Sequence, residues 1–227
     1  MDAEGKDMSP ADRARVLEAH LQKVYATVTM EGGMHMSSIG PAIEPLLGAI
    51  PLREGVNDLM GALAYRGVPL TLYCAGYGNV AMEVIRRGAP KILGPNGALS
   101  PSIRIVSNFF RSDDTMTVVG LYDQVPLIHE HNKSGQTVAA FLQAFQLDAA
   151  GLAASARGNA VLVGSDLADL QLAAGLPGLQ DKITVGFLKM DEDFLDKFPQ
   201  YAQAFDAVVL GDGDMAFVNE ILHEITS

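Results

Sequence analysis

A short acidic loop follows an apolar, β-branched segment, "NAVLV", at residues 159–163. The loop reads "GSDLAD" (164–169, hereafter the acidic loop), so that Asp166 and Asp169 stand where a buried strand ends and a helix begins. Ligands of open α/β sheets bind at the carboxyl ends of the strands, and Mg²⁺ prefers carboxylate oxygens there. We therefore assign Asp166 and Asp169 to a candidate metal site. Ser165 occupies the position in this loop where an aspartate would serve a metal best.

A second candidate site is the turn Cys74-Ala75-Gly76, which ends a strand predicted at 68–74. Its glycine-rich continuation opens a helix, and the free N–H groups of a helix start can hold an anion. The alternative is an ordinary tight turn between strand and helix. Cys74 does not fit the nucleophile of a tyrosine phosphatase, because Val80 stands six positions later instead of the phosphate-binding arginine.

Lys133 is a third candidate, since it lies just before a helix start at Ser134. From there its ammonium group could reach a phosphate as a point charge, although a solvated lysine would look the same in sequence. His129 and His131 have a spacing that can bind a metal from one face of a strand. No further ligand lies near them in the sequence, which leaves a metal site at these histidines weakly supported.

Strands and helices alternate from Pro51 onward. Continuous apolar strands separated by helices predict an α/β fold, a parallel sheet with helices on both faces. We assign residues 51–227 to this core domain and residues 1–50 to an amino-terminal helix, starting at Ser9, with a small appended segment. The predicted strands are 68–74, 103–107, 159–163, 183–187 and 206–210, the predicted helices 53–66, 79–87, 134–147, 167–174, 191–203 and 214–225, and a hairpin-like region covers 116–131.

Composition excludes several classes of protein. A chain of 227 residues with 48% hydrophobic and 19% charged residues is typical of a folded globular protein. The net charge of −11 argues against nucleic acid and anionic membranes as partners. A single cysteine excludes an internal disulfide and suits a reducing compartment. With no apolar leader and no stretch of about 18 apolar residues, we expect an intracellular protein without membrane insertion, cytoplasmic by default or in an organelle if this is a mature form.

Five segments of the chain together resemble the cytosolic pyrimidine 5′-nucleotidases of the haloacid dehalogenase superfamily. The segments, in chain order, are "PLREGVNDLMGALAYRGVPLTLYCAGYGNVAMEVIRR", "IRIVSNFF", "LIHEHNKSG", "VLVGSDLADLQLAAGL" and "FDAVVLGDGDMAFVNEIL". The resemblance covers residues 53–227 and extends more weakly to "HLQKVYATVTME" (20–31), which looks like part of the helical cap of that family. It implies a haloacid dehalogenase-like Rossmannoid core with a reduced cap segment.

The resemblance also assigns roles to the candidate residues. That family hydrolyses nucleoside monophosphates with Mg²⁺, using an Asp-x-Asp strand, a Ser-Ala-Gly phosphate turn, a lysine and a Gly-Asp-Ser-x-x-Asp loop. Cys74, Ala75 and Gly76 match the phosphate turn, with a weak thiol in place of the hydroxyl. Lys133 matches the phosphate-binding lysine, and Asp169 matches the last aspartate of the metal loop. In the same loop, a serine replaces the first metal carboxylate and Asp166 follows one place later.

The nucleophile is the main departure from that family, because residues 1–20 contain no Asp-x-Asp after an apolar strand. An acyl phosphate cannot form without a nucleophilic carboxylate. We therefore predict a catalytically inactive nucleotidase-like protein that needs no cofactor and serves as a structural or binding subunit, with a protein partner or a second copy of itself. One alternative is an active Mg²⁺-dependent 5′-nucleotidase or phosphatase whose nucleophile is unrecognised or whose true amino terminus is missing. The other is a sensor that binds a nucleotide or phosphate without turnover.

The missing strand has an architectural consequence. In the superfamily that the chain resembles, the nucleophile strand lies between the strands that end here at Cys74 and Val163. Without it, two buried strands would present unpaired backbone groups to a gap, which is costly. The gap could close by direct pairing of 68–74 with 159–163, by entry of the β-branched segment 24–30, or by a strand donated from another polypeptide.

Overall fold

The computed structural model describes residues 9–30, 33–123, 127–145, 158–176, 178–211 and 213–226. Within these residues, parallel strands alternate with helices, which confirms the predicted α/β fold class. Residues 1–8, 124–126 and 146–147 lie outside the described residues, and with them parts of the predicted amino terminus, hairpin and helix 134–147. None of the described helices is long and apolar enough to cross a membrane.

The helices and strands lie close to their predicted positions. The helices are α1 (Pro10–Met30), α2 (Ile39–Ile43), α3 (Val56–Tyr65), α4 (Gly78–Gly88), α5 (Gly135–Ala144), α6 (Phe194–Ala204) and α7 (Ala216–Thr226). The strands are β1 (Leu70–Tyr77), β2 (Ile103–Asn108), β3 (Phe110–Ser112), β4 (Val118–Leu121), β5 (Asn159–Gly164), β6 (Asp181–Leu188) and β7 (Ala207–Leu210). Three predictions differ in detail. The hairpin is β3–β4, at 110–121, and the helix expected at 167–174 is a 3-10 helix over Leu167–Leu172. The strand predicted to end at Cys74 continues to Tyr77, so the predicted turn Cys74-Ala75-Gly76 lies within the last residues of β1.

The parallel strands form two separate ladders. β1 pairs with β2, with Leu70 opposite Ile103, and β5 pairs with β6, with Asn159 opposite Asp181. β7 extends the second ladder on the far side of β6, whereas β3 and β4 form an antiparallel pair of their own. The candidate residues 74–76 lie among the last residues of β1, and the acidic loop begins at Gly164, the last residue of β5.

Helices cover both faces of β2. Val106 packs with Val138 and Phe141 of α5 on one face. Ile103 and Ile105 pack on the other, in a cluster that also holds Met60 of α3 and Ile85 of α4. A further cluster joins the ladders, since Leu70 of β1 packs against a group that contains Val185 and Phe187 of β6. The two ladders therefore share one core.

The two ladders are not hydrogen-bonded to each other within the part of the chain that the structure describes, and the space between β1 and β5 is hereafter called the gap. Among the described residues, β1 pairs with β2 alone and β5 pairs with β6 alone, so the predicted direct pairing of 68–74 with 159–163 is wrong. Entry of 24–30 into the gap is wrong as well, because these residues belong to α1. The hydroxyls of Thr27 and Thr29 donate to carbonyls one turn earlier in this helix. The third solution, a strand donated by another polypeptide, stays a prediction.

The amino-terminal residues pack on the hairpin end of the core. Ile39 and Ile43 of α2 are buried with Phe110 and Val118 of the hairpin. The ring of Tyr25 in α1 meets that of Tyr77 edge-on, with 4.9 Å between the centroids. The division into a segment 1–50 and a core 51–227 stays a prediction.

Candidate active site

An ion pair joins Lys133 to the acidic loop. The Nζ of Lys133 lies 2.7 Å from Oδ1 of Asp169, and the two side chains are only 16% and 13% exposed. Lys133 follows the 3-10 turn Glu130–Asn132 and precedes α5, whose first turn is capped by the Ser134 hydroxyl accepting from the Thr137 N–H. The structure thus brings together two of the residues predicted from the sequence, one from each loop.

The acidic loop folds back tightly on the end of β5. The other carboxylate oxygen of Asp169 accepts hydrogen bonds from the N–H groups of Ser165, at 2.8 Å, and Asp166, at 3.0 Å. A Cβ on Gly164 would lie 2.6 Å from the Cβ of Asp169, so only glycine allows this approach. Asp169 is therefore held by the backbone on one oxygen and presents the other to Lys133.

Asp166 has a structural role at the start of the 3-10 helix. Its carboxylate accepts from the Ala168 N–H at 2.7 Å, and it forms a capping box with Asp169. Tyr201 of α6 fastens the same loop, because its hydroxyl donates to the carbonyl of Ser165 at 2.8 Å. Burial, followed by the charge of Asp166, raises the pKa of Tyr201, so the phenol stays protonated and remains a donor.

The fit of these residues to Mg²⁺ is partial. Among the described residues no group of three or more His, Cys, Asp or Glu side chains could hold a metal ion. Mg²⁺ in phosphoryl-transfer sites is commonly held by one or two carboxylates together with substrate phosphate and water. Asp166 and Asp169 could supply two carboxylates, and they would have to share them with the hydrogen bonds described above. Asp166 is exposed, which leaves its second oxygen accessible.

The segment Cys74-Ala75-Gly76, predicted as a turn and hereafter the turn at 74–76, lies within β1 where the strand leaves its regular register with β2. Pairing is regular up to Tyr73 opposite Val106 and then shifts before Tyr77 opposite Asn108. Two side chains at the end of β2 fill the resulting irregularity: the Ser107 hydroxyl donates to the carbonyl of Gly76 at 3.0 Å, and the Asn108 amide also approaches it. The turn is therefore held by β2 through side chains rather than by the ladder.

Tyr73 links this turn to the Lys133 loop. Its hydroxyl lies 3.2 Å from both the His129 carbonyl and the Asn132 side-chain oxygen, and donates to them. Burial, followed by the nearby charge of Asp169 and then by Cys74, raises the pKa of Tyr73 far above its usual range. The end of β1 is therefore near enough to the acidic loop for the Asp169 charge to act on Tyr73.

The two histidines do not form a metal site in this structure. His129 is buried, and its Nδ1 accepts from the His131 N–H at 3.2 Å, which caps the turn before Lys133. The rings are 6.2 Å apart, at a steep angle of 72°. Burial lowers the pKa of His129, so this imidazole is held in its neutral form.

Sequence reasoning missed four residues of this site: Tyr73, Ser107, Asn108 and Tyr201. The pair Ser107-Asn108 carried a usable signal, since two polar residues end an otherwise apolar strand where the candidate ligands converge. Tyr73 and Tyr201 carried none, because tyrosines in an apolar strand and on a helix are most simply core residues.

Several curated proteins are similar to this chain. The 7-methylguanosine phosphate-specific 5′-nucleotidase of Gallus gallus is 29% identical over 176 residues, 78% of this chain and 54% of the relative. The corresponding nucleotidase A of Xenopus laevis is 31% identical over 176 residues, with the same coverage. The Homo sapiens protein is 29% identical over 174 residues, 77% of this chain and 52% of its own length. The chain thus spans about half the length of the curated relatives that it matches.

A solved structure has the same fold. Cytosolic 5′-nucleotidase IIIB bound to cytidine superposes with a TM-score of 0.76 over 98% of this chain and 67% of that one, at 21% sequence identity. At this identity the likeness shows the fold alone. The match confirms the haloacid dehalogenase-like architecture that the sequence predicted.

The prediction of a catalytically inactive structural or binding subunit is contradicted by these relatives, which are named as 5′-nucleotidases. That prediction rested on the lack of an Asp-x-Asp strand in residues 1–20 and on Ser165. Since the chain spans about half of its relatives, the lack of one motif within it is no measure of lost activity. The acidic loop also remains ordered with serine at position 165, because Asp169 forms an ion pair with Lys133 and accepts a hydrogen bond from the loop backbone.

The family model for the Pyrimidine 5′-nucleotidase (UMPH-1) matches residues 8–226, nearly the whole chain and all of the geometry described above. This chain belongs to the pyrimidine 5′-nucleotidase (UMPH-1) family.

Proposed function

We propose that this protein is a Mg²⁺-dependent 5′-nucleotidase that hydrolyses the phosphate ester of nucleoside monophosphates in the cytoplasm. The observation that carries the proposal is the Lys133–Asp169 pair, which joins the loop before α5 to the loop after β5. Tyr73 of β1 bonds to the turn that precedes Lys133, next to the turn at 74–76. The family membership and the names of the relatives support it. The similar solved nucleotidase is bound to cytidine, which supports a nucleoside-containing substrate.

The substrate phosphate binds between Lys133 and the turn Cys74-Ala75-Gly76 in this proposal. Asp169 holds the Lys133 ammonium in place, so little side-chain entropy is lost when a phosphate oxygen becomes its second partner. Backbone N–H groups at residues 76–78, where β1 passes into α4, supply further donors. The Cys74 thiol contributes at most a weak hydrogen bond.

Asp166 and Asp169 are the carboxylates that would hold Mg²⁺. When bound, the ion would offset the negative charge that gathers where a carboxylate approaches a phosphate dianion. Asp169 would then lie between two cations, the metal and Lys133, which explains why it is more firmly anchored than Asp166.

The nucleophile is a carboxylate on a strand that enters the gap between β1 and β5. A strand there would run beside the carboxyl ends that carry the turn at 74–76 and the acidic loop. Its carboxylate attacks phosphorus, the phosphorus–oxygen ester bond breaks, and the nucleoside leaves after its oxygen gains a proton. Water then hydrolyses the acyl phosphate, which releases inorganic phosphate and restores the carboxylate.

Residues 1–50 act as a cap over this site in our proposal. Tyr25 of α1 already contacts the end of β1 and the end of β2, through the Tyr77 ring and the Asn108 amide. A cap that closes on those residues would exclude water from the phosphate.

The test is phosphate release by the native protein, isolated from its own cells so that any strand in the gap is retained. UMP, CMP and 7-methylguanosine monophosphate serve as substrates, with Mg²⁺ or with an excess of chelator. We expect saturable, Mg²⁺-dependent release from at least one of the three. No release above the buffer rate from any of them would contradict the proposal.

A further inference from the structure

The side chain of Asn108 is buried at the end of β2. Its amide nitrogen carries two hydrogens but lies within hydrogen-bond distance of four oxygen atoms. Asn108 is 6% exposed, and its Oδ1 accepts from the Ile128 N–H at 2.8 Å. Its Nδ2 lies 2.8 Å from the Ile128 carbonyl and 3.1 Å from the Tyr25 hydroxyl. The two contacts to Ile128 fix the orientation of the amide, because Oδ1 must face the Ile128 N–H and Nδ2 must face the Ile128 carbonyl.

The same amide faces the turn at 74–76. Nδ2 lies 3.3 Å from the Gly76 carbonyl and 3.4 Å from the Ala75 carbonyl, and the Ser107 hydroxyl donates to Gly76 at 3.0 Å. In an extended strand, successive carbonyls point to opposite sides. Here the Gly76 carbonyl contacts both Ser107 and Asn108, and the preceding Ala75 carbonyl contacts Asn108 as well.

This arrangement fixes the direction of the backbone N–H groups of the turn. The described peptide bonds include no cis bond, and in a trans peptide the N–H points away from the C=O. With the Ala75 and Gly76 carbonyls turned toward β2, the N–H groups of Gly76 and Tyr77 point away from it together. Successive N–H groups that point the same way form an anion-binding concavity.

We propose that Ser107 and Asn108 are positioning residues that hold the turn at 74–76 with the N–H groups of Gly76 and Tyr77 directed at the substrate phosphate. The proposal rests on the proposed function for the identity of the anion. Neither residue touches the phosphate in this arrangement. Both bind the carbonyl oxygens of the turn, which point away from the N–H groups that would face the phosphate.

If Ser107 and Asn108 only stabilised the fold, substituting them would lower the free energy of unfolding but would not change the conformation of the turn at 74–76. Thr184, in the other ladder, offers a control: it is 2% exposed, like Ser107, and its hydroxyl donates to the Asp206 carboxylate and accepts from the Asp206 N–H. Ser107→Ala and Thr184→Val each remove one buried hydroxyl. Asn108→Asp is a second variant, of equal size, that replaces the donor by an oxygen facing the same carbonyls.

The experiment is nitrogen-15 NMR of the full chain, first without ligand and then titrated with inorganic phosphate. Without ligand, we expect Ser107→Ala to move the amide resonances of Gly76 and Tyr77, whereas Thr184→Val leaves them in place. We expect phosphate to bind about five-fold more weakly to Ser107→Ala, the loss of about one hydrogen bond, with unchanged affinity for Thr184→Val. Asn108→Asp should change the resonances and the affinity further in the same direction.

The proposal is overturned if Ser107→Ala leaves the Gly76 and Tyr77 resonances where Thr184→Val leaves them. If Ser107→Ala does not fold, the same comparison is made with Asn108→Asp. If phosphate moves no resonance of the turn in the wild type, the phosphate site of the proposed function is wrong. The ligand-free resonances still decide whether Ser107 and Asn108 position the turn.

Discussion

Lys133 and Asp169, 36 positions apart in sequence, are joined by a 2.7 Å contact between Nζ and Oδ1. The contact ties the loop before α5 to the loop after β5, and both side chains are largely buried. A pair in this setting is held in one geometry, unlike a surface pair whose partners are separately solvated. The candidate phosphate site is therefore already arranged before any ligand binds.

Asp169→Asn should destabilise the protein by about 1–3 kcal/mol, because it leaves the largely buried Lys133 charge without its carboxylate. Asp58→Asn is the control, since Asp58 forms an exposed ion pair with Lys91. That change should cost less than about 0.5 kcal/mol. Urea denaturation of both variants measures the difference. Equal losses would mean that the Lys133–Asp169 pair is energetically an ordinary surface pair.

Gly164→Ala should displace the acidic loop, since its new Cβ would lie 2.6 Å from the Cβ of Asp169. We expect a loss of about 1–3 kcal/mol, typical of overpacking, together with weaker phosphate binding. Gly48→Ala has no atom within 4 Å of the added Cβ and serves as the control. Thermal unfolding and phosphate titration of both variants check this expectation. Wild-type phosphate affinity in Gly164→Ala would show that the position of Asp169 does not matter for the anion.

Stability should fall as the pH is lowered below about 6.5, the unfolded pKa of histidine, because burial lowers the pKa of His129 in the folded state. Between the two pKa values the His129 imidazole is protonated in the unfolded chain and neutral in the folded chain, so lowering the pH favours unfolding. The contribution is complete above the unfolded pKa and disappears as the pH falls through the folded one. His129→Gln, measured by urea denaturation between pH 5 and 8, should show a flatter dependence. If the free energy of unfolding of His129→Gln fell with pH as steeply as that of the wild type, His129 would not be the source of this pH dependence.

More of the fold than of the candidate site could be predicted from the sequence. β2, β5 and β6 are apolar runs of strand length, and both Lys133 and Asp169 were found from their places at element ends. The segment 24–30 looked like a strand because it is β-branched, but its threonine hydroxyls bond within α1. The roles of Ser107 and Asn108 depend on carbonyls 31 to 33 positions away, which no local pattern encodes.

The gap between β1 and β5 predicts a difference in amide hydrogen exchange. If a strand from outside the described residues fills the gap in the native protein, the amides of β1 and β5 gain partners there. They should then exchange more slowly in the protein from its own cells than in the recombinant 227-residue chain. β6 is paired on both sides in either case and should exchange equally. Identical exchange at β1 and β5 in the two preparations would contradict strand insertion.

The most direct test of the central claim, that Lys133 binds the phosphate of a nucleoside monophosphate during hydrolysis, compares two lysine variants. Lys133→Ala and Lys91→Ala each remove an ion-paired lysine, but Lys91 is exposed and its partners, Asp58 and Asn57, belong to α3 and not to the acidic loop. Both are produced in the source cells, and kcat/KM is measured with Mg²⁺ on the monophosphate that the wild type hydrolyses best. We predict a loss of about 100-fold or more for Lys133→Ala, the scale of removing one charge-stabilising donor, and wild-type activity for Lys91→Ala. Wild-type activity in Lys133→Ala would contradict the assignment of this site.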